Sequence, residues 1–268
     1  MTFDALADLV AAGGVVVLSG AGLSTESGIP DYRGPTGLSR KAEPMTYQTF
    51  TGSPAARGRY WARSQLGWRH MSGVEPNAGH HAVAELQRRG LLAGIITQNV
   101  DGLHQAAGAR DVIELHGALS RVMCLSCGER TARTELDRRL RAANPGWDRR
   151  PAVINPDGDA VLTDEQIAGF VVVDCTRCGG LLKPDVIFFG ENVPRGRVDQ
   201  CYTLTERATL LLVLGSSLTV MSGYRFVRHA ASRGIPVAIV NQGPTRGDGD
   251  ALITLSAPLG PTLSALAG

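Results

Sequence analysis

No apolar run in this chain of 268 residues reaches the roughly 18 residues that a bilayer-spanning helix needs, so no membrane partner is expected. Charge of one sign is also missing. The 27 basic and 25 acidic residues leave a net charge of +2, too little to predict a nucleic-acid partner. Lysine is nearly absent: Lys41 and Lys183 are the two lysines, and every other Lys/Arg position is arginine; no function is read from that bias. The stretch from Met1 to Val10 lacks the basic n-region of a signal peptide and shows no transit-peptide pattern. A cytoplasmic, reducing location is therefore the expectation, and there the five cysteines read as metal ligands or free thiols, not disulfides. A chain of this length buries a sufficient core without them. There is no internal repeat and no low-complexity segment.

What is present is a recurring unit: a short apolar strand, a turn of small or polar residues, then a helical stretch. Val15 to Leu18 runs into Ser19-Gly20-Ala21-Gly22, Ala93 to Thr97 into Gln98-Asn99-Val100-Asp101, Leu210 to Leu214 into Gly215-Ser216-Ser217, and Val237 to Val240 into Asn241-Gln242-Gly243. Val112 to Leu115 reads as a further strand, and Ala82 to Arg89 as a helix ended by Gly90. Apolar strands alternating with helices predict an α/β fold, a Rossmann-like parallel sheet with helices on both faces. Polar residues at the carboxyl ends of such strands are where ligands bind. Two stretches break the pattern. Residues 35–91 carry several Pro and Gly residues and most of the aromatics, and read as a helical and loop insertion. Residues 121–183 begin and end near cysteine pairs and read as a smaller zinc-binding module. That leaves 1–34, 92–120 and 184–268 for the sheet domain.

Cys124-x-x-Cys127 and Cys175-x-x-Cys178 are each followed by glycine, Gly128 and Gly179. Two such pairs supply four thiolates for one tetrahedral Zn²⁺, whereas a redox motif needs only one pair. Four protein ligands close the coordination shell, so this zinc is structural and activates no water. Cys201 reads as a buried apolar residue.

Gly20-Ala21-Gly22 begins like a dinucleotide fingerprint, but Thr25 stands where the third glycine belongs. The continuation is more specific. Gly20 to Arg33 (GAGLSTESGIPDYR), Thr97 to His104 (TQNVDGLH), Glu114-Leu115-His116-Gly117, the two cysteine pairs, Lys183 to Glu191 (KPDVIFFGE), Gly215-Ser216-Ser217-Leu218 and Asn241-Gln242-Gly243 follow one another in order. Together they resemble the sirtuins, over nearly the whole chain. The excursion from Pro145 to Asp159, Gly243-Pro244-Thr245-Arg246 and Tyr60-Trp61-Ala62-Arg63 resemble the class II, mitochondrial lipoamidase-type branch.

The resemblance implies an NAD-dependent protein-lysine deacylase that moves the acyl group to ADP-ribose and releases nicotinamide, acting on acyl-lysine proteins as a monomer. His116 is the implied base, since an imidazole titrates near operating pH, and Asn99 the second catalytic residue. The cofactor side would comprise Gly20, Ala21, Gly22, Glu26, Asp31, Tyr32 and Arg33 at the first strand end, and Gln98, Asn99 and Asp101 at the next. Gly215, Ser216, Ser217, Asn241, Gln242, Gly243 and Leu259 complete it. Val186, Phe188, Gly190 and Glu191 would pair with the substrate backbone as an added strand. Tyr60 and Arg63 resemble the pair that binds the acyl carboxylate in desuccinylating sirtuins, for which an arginine–carboxylate contact is the physical reason; the resemblance leaves the preferred acyl group open. His70, His80, His81 and His229 read as surface or structural, and His104 as a supporting residue.

Other readings remain. A dehydrogenase needs the full glycine fingerprint and an acidic ribose ligand about 20 residues on; Thr25 breaks the first, and Glu43 lies in the insertion. A zinc-knuckle binding module would show a basic surface, but acidic residues intersperse Arg138, Arg139, Arg141, Arg149 and Arg150. Within the same site, mono-ADP-ribosyl transfer and lipoamidase activity stay open.

Overall fold

The computed structural model describes residues 2–31, 44–147, 155 and 159–268. Its elements run in chain order: α1 (Phe3–Ala11), β1 (Val15–Ser19), a 3-10 helix (Ala21–Ser27), α2 (Tyr47–Gly52), α3 (Pro54–Met71), α4 (Ala78–Arg88), β2 (Leu92–Thr97), α5 (Leu103–Ala106), β3 (Val112–Glu114), β4 (Gly117–Cys124), β5 (Arg130–Ala132), α6 (Arg133–Ala143), α7 (Asp164–Ile167), β6 (Leu182–Val186), α8 (Arg195–Glu206), β7 (Leu210–Leu214), α9 (Met221–Ser232), β8 (Val237–Val240), β9 (Ile253–Leu255) and α10 (Leu259–Ala267). They group into two compact units. One holds 1–39, 75–116 and 193–268; the other holds 40–74 and 117–192.

The first unit is a six-stranded parallel sheet in the order β3-β2-β1-β7-β8-β9. Strand alternation sends the apolar residues to opposite faces. Val15, Val17, Ile95, Leu210, Leu212, Leu214, Ala238 and Val240 share one buried cluster with residues of α1, α4 and α10. Val16, Leu18, Ile96, Leu211, Val213, Val237 and Ile239 share the other with Val198 and Cys201 of α8 and Phe226, Val227 and Ala230 of α9. Such burial on both faces explains the unbroken apolar runs in the sequence. The expected α/β class, with a parallel sheet and helices on both faces, is the observed one.

From the sequence, the helix ended by Gly90 is expected within the 35–91 insertion. In the structure α4 begins earlier, at Ala78, and groups with the sheet: Ala82, Val83 and Leu86 lie in the first of its two cores. Its start is set by a capping box, in which Asn77 accepts from Gly79 N and His80 N while His80 Nδ1 accepts from Asn77 N.

The second unit has a three-stranded antiparallel sheet, β5-β4-β6, with α2, α3, α6 and α7. Its limits at Gly117 and Asn192 take in 117–120 and 184–192, expected from the sequence to belong to the sheet domain. Ser53 caps α3 by accepting from Ala56 N, and Pro54 opens the helix. Gly117 pairs with Val186 at φ +83°, where a Cβ would lie 1.9 Å from the Asp185 carbonyl oxygen. Only glycine fits there. No helix among the described residues is long and apolar enough to cross a membrane.

Candidate active site and zinc centre

In the parallel sheet the strand order reverses between β1 and β7, which are neighbours although most of the chain lies between them. In open α/β sheets ligands bind at the carboxyl end of such a switch point. Gly20-Ala21-Gly22 and Gly215-Ser216-Ser217 follow these two strands directly. The glycines there work partly by close packing: a Cβ on Gly22 would lie 2.9 Å from Gly215 Cα, and one on Gly215, at φ +61°, would lie 2.5 Å from Leu23 N. Gly22 N donates to the Gly215 carbonyl at 2.8 Å. Glu26 accepts from Gly260 N at 2.9 Å, tying the 3-10 helix to the start of α10. Leu259, expected on the cofactor side, is buried in the sheet core and its Cδ1 would meet a Cβ on Gly215 at 2.7 Å.

Hydrogen bonds fix most of the polar groups at this edge. Asn99 gives both amide hydrogens away, to Gly20 O and Ser24 Oγ at 3.0 Å each, so its Oδ1 remains as acceptor. Ser24 passes its proton to Asp101 Oδ2 at 2.7 Å, and Asp101 Oδ1 accepts from Leu103 N at 2.9 Å. Burial raises the Asp101 pKa, against the pull of those two bonds. Gln98 Nε2 donates to Ser216 Oγ at 2.9 Å. Asn241 Nδ2 donates to the carbonyls of Gln242 and Gly243, which are exposed. Asp31 is half-buried, and Tyr32 and Arg33 lie outside the described residues.

Behind these groups sits a pair that the sequence did not single out. The rings of His80 and His104 stand 5.3 Å apart, both buried. Ser19 Oγ donates to Thr97 Oγ1, so His104 Nε2, 2.8 Å from Ser19 Oγ, carries the hydrogen of that contact. Burial pushes His80 down to about 3, assisted by His104, and His104 down to about 4, so both are neutral at pH 7. The Asn77-x-x-His80 spacing was the available signal, since it is a capping box.

His116 lies at the carboxyl end of this sheet, just after β3 and Leu115. Its Nδ1 is 2.9 Å from the Gln98 carbonyl oxygen. A carbonyl only accepts, so Nδ1 holds the ring hydrogen and Nε2 holds the lone pair. Nε2 is 2.8 Å from Ser222 Oγ, a residue that no motif in the sequence marks. Burial lowers the His116 pKa to about 4, the Gln98 bond raises it, and Arg197 lowers it. The imidazole is thus neutral at pH 7, as a proton acceptor must be.

In the second unit the sulfur atoms of Cys124, Cys127, Cys175 and Cys178 all lie within 4.8 Å of one another. Tetrahedral Zn–S bonds of about 2.3 Å place sulfurs about 3.8 Å apart, and the Cys124–Cys178 and Cys127–Cys175 separations are 3.5 and 3.9 Å. The two knuckles repeat one turn: Gly128 N donates to Cys124 O, and Gly179 N to Cys175 O, with both glycines left-handed. The donor set fits one structural Zn²⁺. Cys201 is buried in the sheet core, as expected.

Val186 ends β6, and Phe188 packs against Phe50 and Tyr60 at ring separations of 5.2 Å. Gly190 is exposed and left-handed. Glu191 Oε2 accepts from Phe188 N at 2.9 Å and from the buried Lys183 Nζ at 3.0 Å. Tyr60 and Arg63 lie one turn apart on α3; Tyr60 is buried, and Arg63 Nε donates to Ala160 O at 2.8 Å.

Residues 20–222 match the model of the Sir2 family. The chain is 63% identical over 262 residues to NAD-dependent protein deacetylase 1 of Streptomyces coelicolor, covering 98% of this chain and 88% of that protein. It is 56% identical over 239 residues to the protein of the same name from Mycobacterium avium, covering 87% of this chain and 83% of that one. Among solved structures, one described as "Sir2-p53 peptide-NAD+" superposes with a TM-score of 0.80 at 29% identity, over 99% of this chain and 97% of that one.

Proposed function

The chain belongs to the Sir2 family of sirtuins, and from that premise we propose that it is an NAD-dependent protein-lysine deacylase, with deacetylation of acetyl-lysine proteins as its basic activity. The observation that carries this reading is His116: a neutral imidazole at the carboxyl edge of the sheet, its tautomer set by the Gln98 carbonyl and its lone pair on Nε2. The names of the relatives, and a structural neighbour with peptide and NAD together, support the same reaction.

NAD, bound at the switch point, would supply the ribose carbon that takes the acyl oxygen once nicotinamide has left. The residues of the chain do the rest. Gly20, Ala21, Gly22, Gly215, Ser216 and Ser217 present small groups and backbone amides to the pyrophosphate. Glu26 fixes the 3-10 helix on the start of α10, and Asp31, Tyr32 and Arg33, which follow in the chain, are assigned to the same cofactor. Asn241, Gln242 and Gly243 face the adenosine side, with Leu259 as the apolar support beneath. Asp101 accepts from the nicotinamide amide, and Asn99 turns its Oδ1 to a ribose hydroxyl or a water. Gln98 holds the ribose whose hydroxyl His116 deprotonates. Val186, Phe188, Gly190 and Glu191 offer main-chain partners to an extended acyl-lysine peptide. The zinc holds the two cysteine knuckles together and takes no part in proton transfer.

Within the family we assign the chain to the class II, lipoamidase-type branch, on the excursion from Pro145 to Asp159 and on the Gly243-Pro244-Thr245-Arg246 segment. The engaged Arg63 Nε and the aromatic surroundings of Tyr60 favour an uncharged acyl chain over an acidic one. The test is one panel: NAD with acetyl-, succinyl-, glutaryl-, lipoyl- and long-chain acyl-lysine peptides, following nicotinamide and free lysine by mass spectrometry. NAD-dependent release of both is expected, falling roughly a hundredfold or more in His116→Ala with NAD binding retained. ADP-ribose found on the peptide with no lysine released would move the activity to ADP-ribosyl transfer; no turnover of any peptide would end the deacylase reading.

A further inference from the structure

Ser222 is the second residue of α9, and its hydroxyl makes no cap for that helix. Its hydrogen-bond partner is His116 Nε2, at 2.8 Å. Because Nδ1 donates to the Gln98 carbonyl, Nε2 carries a lone pair, and the serine must be the donor. We propose that Ser222 is a positioning residue for the base: its hydroxyl holds the lone pair of His116 Nε2 at the amino end of α9, until a ribose hydroxyl takes its place.

Three features support it. The ring is held at both nitrogens, by the Gln98 carbonyl from β2 and by Ser222 from α9, so neither rotation nor tautomer exchange is free. A helix amino terminus disfavours a positive imidazolium, so the site keeps the base unprotonated while it waits. The exchange of partners is also balanced. One O–H donor on Nε2 replaces another; the ribose O–H bond then breaks as the Nε2–H bond forms, the electron pair left on the ribose oxygen forms its bond to the acyl carbon, and Nδ1 keeps its own hydrogen and goes on donating it to the Gln98 carbonyl, next to the charge that develops. Arg197 of α8, which bonds the Leu115 carbonyl, opposes protonation of His116. Glu114 receives the Gln105 amide, and Arg225 of α9 turns its Nε to the Met221 carbonyl.

This inference rests on the deacylase reading for its chemistry, but its first test does not need turnover. In the intact chain with ¹⁵N-labelled histidine, NMR should show His116 as the Nδ1–H tautomer. In Ser222→Ala the hydrogen bond to the neutral ring is lost, so the His116 pKa should rise by about half a unit to one unit. Ser222→Thr, which keeps the hydroxyl, should leave it in place. With acyl peptide, the acid limb of kcat/KM for NAD should move upward with the alanine variant and stay with the threonine one. An Nε2–H tautomer, an unmoved pKa in Ser222→Ala, or an equal shift in Ser222→Thr would each overturn the proposal. Wild-type protein that shows the expected tautomer but no NAD-dependent turnover would defeat the deacylase reading instead.

Discussion

Removing the Glu191 carboxylate should destabilise the second unit and blunt peptide recognition together. Lys183 is 1% exposed and Glu191 18%, with Nζ and Oε2 3.0 Å apart. Nζ also donates to the carbonyls of Pro184 and Val186 and lies 4.8 Å from the Phe188 ring centroid. Breaking one side of a buried ion pair costs about 3–5 kcal/mol. Here two carbonyls remain on the ammonium and Glu191 is partly hydrated, which brings the expectation for Glu191→Ala to about 2–3 kcal/mol. For a protein of this size that lowers Tm by roughly 5–10 °C. Burial already lowers the Lys183 pKa, and Glu191 is the main group that opposes it. In Glu191→Ala the folded lysine pKa therefore falls further below the unfolded one. The unfolded chain then binds more protons between the two values, so the variant should recover stability as pH rises through that window toward the ordinary lysine pKa. The assay is thermal unfolding from pH 7 to 10, with KM for acyl peptide measured alongside NAD affinity. KM for peptide should rise, because Phe188 N loses the acceptor that fixes it, and NAD affinity should hold. A Glu191→Ala chain that melts with the wild type at pH 7 would refute the ion-pair argument.

Acid should weaken the first unit before carboxylates dominate. His80 and His104 titrate at about 3 and about 4 when folded, below the ordinary 6.5, so their stability contribution is full above 6.5 and is lost as pH falls toward 4. Urea midpoints between pH 7 and 4 should decline, less steeply in His104→Asn, and equal slopes would count against the buried neutral pair. Purified protein should carry one zinc per chain by atomic emission. A chelator, or Cys127→Ala, should lower the melting temperature while leaving NAD binding in place, because the ligands all lie in the second unit; unchanged melting after complete metal removal would show the site to be dispensable.

The sheet was legible because burial on both faces writes an apolar run for each strand, and Leu210–Leu214 and Val237–Val240 were read to the residue. The cysteine cluster was legible for another reason: metal geometry demands particular residues at particular spacings. Assignment of α4 was harder, since its amphipathic pattern says that it packs on something, not on what. Ser222 and the contact between His80 and His104 were not legible, because a lone serine has no pattern of its own and the Asn77-x-x-His80 spacing marks a helix start without naming the partner of the ring. They matter through partners at sequence distances of 106 for Ser222–His116 and 85 for Ser19–His104. The expected part of Leu259 and Glu26 in cofactor binding also came without their packing roles, which depend on α10 meeting the 3-10 helix.

The burial of Lys183 has one more consequence. The chain has two lysines, and one of them is sealed beneath Phe188 with three oxygen acceptors around its ammonium. Guanidinium groups carry nearly all the basic charge that faces solvent, and they stay protonated where a lysine amine would react. Most of the cationic surface of this Sir2-family chain is therefore built from groups that acyl donors leave unmodified.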